Sequence, residues 1–382
     1  MEEFFLKLAN LSIAASWLVL AVLLIRLIFR KAQKWIRCLL WGLVGLRLIC
    51  PISIESAFSL IPSAEPLPRD VLYTATPEIH SGIGAIDHLV NPVLSSSMSP
   101  APGASANPMQ VWSFVLAWIW VAGVAVMLFY ALVSYLLLKR RISTATSLRE
   151  NIKQSESVQS PFVLGLFRPV IYLPYNIADE DLTYVIDHEK AHIQRKDHWW
   201  KPTGFVILAI YWFNPLLWIA YILLCRDIEA ACDEKVIHEM EKDDRRAYSA
   251  ALLHCSVHRR TMAVCPLAFG EIGVKSRIKN VMEYQKPARW VVMLAITATV
   301  AVVLCLMTVP KSNLSSVTPA PPMDSGATIY IEGTSSSAQS ASSLLTDEDS
   351  DRTETSSQRV VTTVGSHDRR HQNGSHHADR HH

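Results

Sequence analysis

The hydrophobic residues of this 382-residue chain are gathered into long runs instead of being spread periodically. Four runs are long enough to cross a hydrocarbon core of about 30 Å, which takes about 20 helical residues. These runs cover residues 10–29, 36–52, 111–137 and 290–309. The pattern predicts a mainly α, multi-pass membrane protein.

A fifth hydrophobic run at 205–225 is interrupted at its centre by Asn214-Pro215 and has positive residues on both flanks. Proline breaks a helix, so we expect two half-helices hinged at this point. Irregular backbone at membrane depth is tolerated only where protein surrounds it. We therefore interpret 205–225 as a hinged hairpin that returns to the side from which it came.

Basic residues predict the orientation of these helices. Arg30, Lys31, Lys34 and Arg37 lie between the first two runs, and Lys139 to Arg141 follow the third. Cytoplasmic loops carry an excess of Lys and Arg, so both clusters are expected on the cytoplasmic side of the membrane. The resulting segments are two N-terminal transmembrane helices (1–51), an extracellular loop (52–108), a third transmembrane helix (109–138), a cytosolic domain (139–289), the last transmembrane helix (290–309) and a disordered extracellular tail (310–382).

Charge and cysteine content exclude two classes of protein. The formal net charge of +2 is too small to indicate nucleic-acid binding, and no direct nucleic-acid contact is expected. The seven cysteines lie in or between the apolar runs, unlike the disulfide framework of a secreted domain. Membrane lipid is the expected surrounding, and a homodimer remains open.

The predicted cytosolic domain begins with two short runs of β-branched and aromatic residues around a turn, within 161–174. They predict a small β-hairpin. An exposed strand edge can bind an extended peptide as an additional strand. The candidate residues for this substrate edge are Phe162, Val163, Leu164, Val170, Ile171 and Tyr172.

The next predicted helix, about 181–196, contains His188-Glu189-x-x-His192. Histidines four residues apart share one helix face and can bind one metal ion, with the glutamate beside it as a general base. Zn²⁺ bound by two imidazoles and a carboxylate, with water in the fourth position, is typical of metal-assisted hydrolysis. We therefore predict His188 and His192 as zinc ligands and Glu189 as the catalytic base.

A later helix supplies the predicted third ligand, Glu229. Asp233 lies one turn beyond it and could orient a ligating imidazole, and Asp197 is a second candidate for that role. His192 and Glu229 can bind one ion only if the 205–225 run turns back, so the hinge and the metal site support each other. The alternative interpretation of these residues is an ordinary polar face of a cytosolic helix.

With these motifs the chain resembles the membrane-embedded zinc metallopeptidases of the β-lactam-sensing antirepressor family, the penicillin and methicillin-resistance regulators. The resemblance covers about residues 10–310. The matching stretches are Arg47-Leu48 with Pro51 and Glu55-Ser56, 160–174, His188 to His192 with Arg195 and Asp197, Phe213-Asn214-Pro215, and Arg226-Asp227 with Glu229 and Cys232-Asp233.

The resemblance implies a protein of the bacterial cell membrane whose gluzincin domain faces the cytosol and cleaves itself. It also implies inactivation of a DNA-binding repressor, which is the expected protein partner. The family's self-cleavage region corresponds here to 266–271 and 274–279. Full sensors of the family end in an external penicillin-binding domain, whereas residues 310–382 are all that follow the last span. Ser276-x-x-Lys279 has the spacing of that domain's serine motif but lacks its companion motifs, and we interpret it as chance.

Two other functions stay open at this level. The chain could be a membrane sensor or scaffold whose zinc site is structural or inactive. A transporter with an accidental motif would carry paired broken helices in repeated halves, and the sequence contains one such break.

Overall fold

The computed structural model describes residues 1–30, 32–50, 54–55, 62–63, 65–74, 77–99, 107–149, 151–257 and 273–309. Its α-helices are α1 (Glu2–Ile28), α2 (Lys34–Ile49), α3 (Gly84–Met98), α4 (Pro108–Arg141), α5 (Asp179–Gln194), α6 (Asp197–Ile210), α7 (Pro215–Ile237), α8 (Lys242–Val257), α9 (Val274–Met282) and α10 (Arg289–Met307). Its strands are β1 (Ile54–Glu55), β2 (Thr146–Arg149), β3 (Ile152–Gln154), β4 (Phe162–Leu164), β5 (Val170–Leu173) and β6 (Thr308–Val309). The predicted tail 310–382 lies outside the described residues.

Among the described helices, α1 and α4 are long and apolar enough to cross a membrane by length and composition, and α10 contains a shorter apolar stretch. The ends of α4 show why it forms where it does. Asn107 caps the first turn by accepting a hydrogen bond from the Met109 N–H, and Pro108 occupies the first helical position. Basic residues 139–141 close the last turn, where they complement the helix dipole. The mainly helical architecture expected from the hydrophobic runs is confirmed.

The helix break of the 205–225 run falls between Ile210, the end of α6, and Pro215, the start of α7. The Asn214 side chain accepts a hydrogen bond from the Leu216 N–H at 2.9 Å and so caps α7. Its amide nitrogen donates to the hydroxyl oxygens of Ser12 and Ser16 on α1, at 2.8 and 2.9 Å. The turn between α6 and α7 is therefore fixed against α1 by side-chain hydrogen bonds.

One apolar core joins α1, α2, α6 and α7. Polar contacts of Asp227, in the second half of α7, also join this helix to α1 and α2. Asp227 is 1% exposed. The Arg26 guanidinium donates to both carboxylate oxygens of Asp227, at 2.8 and 2.9 Å, and the Trp41 indole N–H donates to one of them at 2.9 Å. A buried carboxylate needs such partners, so this cluster fixes α7 to the two N-terminal helices.

The strands β2 to β5 form a small mixed sheet in the order β2-β3-β5-β4. β4 and β5 make the predicted hairpin, with Phe162 opposite Tyr172 and Leu164 opposite Val170. Gly165 starts the turn with φ +116°, and a Cβ there would lie 2.4 Å from the Arg168 carbonyl oxygen, so this position requires glycine.

The sheet order corrects half of the predicted substrate edge. β5 pairs with β3 in parallel on one side and with β4 on the other. Ile171 and Tyr172 are therefore paired on both backbone edges and cannot accept a further strand, and Val170 pairs with Leu164 of β4. Among the described strands β4 pairs with β5 alone, so Phe162, Val163 and Leu164 keep one backbone edge that no described strand occupies.

Candidate metal centre

The helix α5 is anchored to the sheet by a small apolar core. Val185 and Ile186 of α5 pack with Ile171 and Leu173 of β5. This packing buries the part of α5 that carries the histidine motif. His188, Glu189 and His192 are only 4%, 6% and 7% exposed. Polar groups buried to this degree need partners within the protein or a ligand.

The helix α7 brings Glu229 between the two imidazoles. One carboxylate oxygen of Glu229 is 3.6 Å from His188 Nε2, and the other is 3.6 Å from His192 Nε2. The three donor atoms lie within 4.8 Å of one another. The structure thus brings together the three residues that the sequence suggested as ligands.

The two 3.6 Å contacts, each made by a different oxygen of Glu229, are close to the ligand separations of a tetrahedral zinc ion. Ligand atoms at about 2.0–2.2 Å from such an ion are about 3.3–3.6 Å from each other. A second group of donors, His192, Asp197 and Cys232, is also close together. Its atoms are 2.9–3.1 Å apart, which is direct hydrogen-bond distance and leaves no room for an ion among them. The donor set of His188, His192 and Glu229 is therefore the one that fits a metal.

Two cations contact the Glu229 carboxylate. Lys201 Nζ donates to one oxygen at 2.8 Å, and Arg277 Nη1 is 3.3 Å from the other. Burial alone would raise the pKa of Glu229, but the charge of Lys201, followed by those of His192 and Arg277, lowers it well below its usual value. Glu229 is therefore a carboxylate at neutral pH, the form in which it binds metal.

His192 is oriented by Asp197, whose carboxylate lies 2.9 Å from Nδ1. The tight turn from α5 to α6 makes this contact, with Lys196 at φ 60° in the left-handed region. Burial raises the pKa of the neighbouring Cys232 thiol to about 11, so it stays protonated and donates to Asp197. Asp197, the weaker sequence candidate, thus contacts a ligand directly.

His188 is oriented less directly. Tyr248 of α8 donates its hydroxyl to Asp233 Oδ1 at 2.7 Å, and the Tyr248 oxygen is 2.8 Å from His188 Nδ1. That oxygen can accept only from an Nδ1–H group, which leaves His188 Nε2 as a lone pair. Asp233 therefore acts on His188 mainly through Tyr248, and it is itself held by Arg277.

A sequence model of the family described as BlaR1 peptidase M56 matches residues 6–281 of this chain. The chain belongs to this family. The match extends from α1 through α9 and so contains all the residues of the metal centre. The resemblance to the resistance regulators is confirmed by this finding.

Curated relatives of this BlaR1 peptidase M56 chain carry related names. The "Methicillin resistance mecR1 protein" of Staphylococcus aureus strain Mu50 is 24% identical over 314 residues, covering 73% of this chain and 52% of that protein. The "Regulatory protein BlaR1" of Bacillus licheniformis is 29% identical over 196 residues, 44% of this chain and 32% of that protein. The chain spans about half the length of the first curated relatives it matches.

Sequence reasoning missed three residues of this centre: Lys201, Tyr248 and Arg277. Lys201 and Tyr248 stand in no motif, and Arg277 falls only within the Ser276-x-x-Lys279 spacing that we interpret as chance. Each comes from a different helix, so no spacing along the chain relates it to His188 or Glu229. A signal existed for Arg277, since it lies one turn before Val281 on the buried face of α9. An arginine on an apolar helix face requires buried partners.

Proposed function

We propose that this chain is a multi-pass membrane zinc endopeptidase with its active site facing the cytoplasm. In this proposal it acts in regulatory signalling, cleaving itself and a cytosolic transcriptional repressor. The position of Glu229 between His188 and His192 carries the proposal. Glu229 lies 37 positions after His192 and on another helix, yet it completes the ligand set. Membership of the BlaR1 peptidase M56 family and the names of the regulatory relatives support it.

His188, His192 and Glu229 would hold the zinc ion. When bound, zinc lowers the pKa of a coordinated water and polarises the scissile carbonyl. Glu189 follows His188 on α5, and its carboxylate accepts the proton of the attacking water and returns it to the leaving amine nitrogen. Asp197 holds the His192 ring through Nδ1 during these steps.

The free edge of β4 is the proposed binding site for the substrate peptide. β4 contacts α5, so a peptide added along Phe162, Val163 and Leu164 would run beside the helix that carries Glu189. Backbone hydrogen bonds to an edge strand bind many sequences in an extended form. That mode suits an endopeptidase, because extended backbone exposes the scissile carbonyl.

The decisive experiment compares the full-length parent with Glu189→Gln in membranes and in detergent. We expect self-cleavage fragments from the parent and none from Glu189→Gln, with zinc content equal in both, because the variant keeps all three ligands. Loss of a general base costs about 10²–10⁴-fold in rate. Glu180→Gln is the matched control, since Glu180 is exposed on the same helix and should cleave like the parent.

The outcomes separate the peptidase from the other functional class. If parent and Glu189→Gln both stay intact while a co-expressed repressor still disappears, the peptidase proposal fails and a membrane sensor or scaffold with an inactive zinc site is the better description. Equal fragmentation of both proteins would assign the cleavage to another protease.

A further inference from the structure

Arg277 is the most completely enclosed cation near the metal centre that the mechanism above does not use. It lies on α9 and is 4% exposed. Long charged side chains are almost never buried to this extent unless they are paired. Among the described residues, Arg277 contacts side chains of two other helices, α5 and α7.

The Arg277 guanidinium makes its strongest contacts with Asp233. Nε donates to Oδ2 at 2.8 Å and Nη2 donates to Oδ1 at 2.7 Å, a two-point pairing that fixes the plane of the carboxylate. Nη2 is also 3.2 Å from His188 Nε2, and Nη1 is 3.3 Å from a Glu229 oxygen. One side chain thus contacts two of the three candidate ligands and the carboxylate that orients one of them.

We propose that Arg277 is a positioning residue of the metal site, through which α9 controls the affinity for zinc. Arg277 holds Asp233, Asp233 accepts from Tyr248, and Tyr248 holds His188. The same guanidinium also contacts one oxygen of the Glu229 carboxylate and so helps to fix its orientation. The inference rests on the metal site of the proposed function, but it does not depend on peptide hydrolysis.

A cation beside a zinc site has an opposing effect, because it repels the ion. Arg277 Nη2 also donates to His188 Nε2, the atom that would bind zinc, and has to withdraw from it when the ion binds. The two-point pairing with Asp233 compensates most of that charge. Removing Arg277 would leave Asp233 as a buried carboxylate without its counter-ion, free to turn away from Tyr248. Outer contacts of this kind typically change metal affinity by about 10–100-fold. Positioning therefore outweighs repulsion, and loss of Arg277 should weaken zinc binding.

The experiment measures zinc affinity by competition with a chromophoric chelator on full-length protein in detergent. All proteins carry Glu189→Gln, so that self-cleavage does not change the sample. Arg277→Gln should bind zinc about 10–100-fold more weakly than this background. Arg277→Lys should lose less, because it keeps the charge but not the two-point geometry. Lys279→Gln is the matched control, since it removes one positive charge from an exposed position of α9 and should leave the affinity unchanged.

A double-mutant cycle with Asp233→Asn separates positioning from a general loss of structure. If Arg277 acts through Asp233, Arg277→Gln costs less affinity when Asp233 is already Asn. Thermal unfolding of the metal-free proteins is recorded in parallel. Should Arg277→Gln fail to fold, the cycle is measured with Arg277→Lys in its place. Arg277→Lys keeps a positive charge beside Asp233, so the buried carboxylate is not left without a partner.

Unchanged or tighter zinc binding in Arg277→Gln would overturn the proposal, and additive losses in the cycle would overturn its route through Asp233. A background protein that binds no zinc would remove the metal site itself, and the proposed function with it. Normal zinc binding without an effect of Arg277 would overturn this inference alone.

Discussion

At the scale of single residues, the two imidazoles of the centre are held through the same ring nitrogen by different means. Asp197 accepts from Nδ1 of His192, and the Tyr248 oxygen accepts from Nδ1 of His188. In both rings Nε2 is then the nitrogen that lies 3.6 Å from a Glu229 oxygen and would bind the ion. Hydrogen bonds to the second ring nitrogen are the usual means by which proteins fix a ligating histidine.

The direct contact of Asp197 makes it the sharper test of this arrangement. Asp197→Asn should weaken zinc binding about 10–100-fold, since an amide holds the His192 ring less well than a carboxylate. The measurement is zinc affinity by chelator competition in the Glu189→Gln background. Asp179→Asn, at an exposed position of α5, is the control. Equal affinities in both variants would show that Asp197 has no such role.

What could be predicted of the site follows from how its residues are related along the chain. The spacing of His188 and His192 on one helix predicts that they share a face, and the structure has them there. Tyr248 and Arg277 are 60 and 89 positions from His188, and only the packing of α8 and α9 brings them to it. The packing of these helices depends on contacts between distant residues, so no local sequence pattern predicts it.

At the scale of elements, strong local signals gave the right structure and weak ones did not. The start of α4 has an N-cap and a proline at the first helical position. The β4–β5 hairpin has β-branched runs on either side of a glycine turn. β2 and β3 were not predicted, because Thr146–Arg149 is polar and exposed and becomes a strand only by pairing with β3. The inner position of β5 likewise depends on β3, a partner that the sequence did not reveal.

The hinge is the element whose removal should be most visible in stability. Asn214→Ala deletes the cap of α7 and the two hydrogen bonds to Ser12 and Ser16. Loss of an N-cap alone costs about 1 kcal/mol, so the thermal unfolding midpoint in detergent should fall clearly. Asn280→Ala, at an exposed position of α9, is the matched control. A midpoint unchanged by Asn214→Ala would mean that apolar packing alone holds the turn.

At the scale of the whole molecule, the proposed topology separates two described regions that carry exposed serines. Ser96 lies on α3, within the predicted extracellular loop, and Ser147 lies on β2, within the predicted cytosolic domain. On intact cells, a membrane-impermeant maleimide should label Ser96→Cys and not Ser147→Cys. Both should react after the cells are permeabilised, and the parent protein controls for native cysteines. Labelling of Ser147→Cys from outside would reverse the orientation.

The buried Asp227 also bears on how this protein can be divided. Glu229 lies only two residues beyond a carboxylate whose partners, Arg26 and Trp41, belong to the first two helices. A fragment cut at residue 139 to obtain a soluble peptidase would leave that carboxylate bare and strip the apolar core from the flank of α7. The predicted boundary of the membrane is therefore not a boundary of folding, and the N-terminal helices are as much a part of the metal centre's scaffold as the sheet.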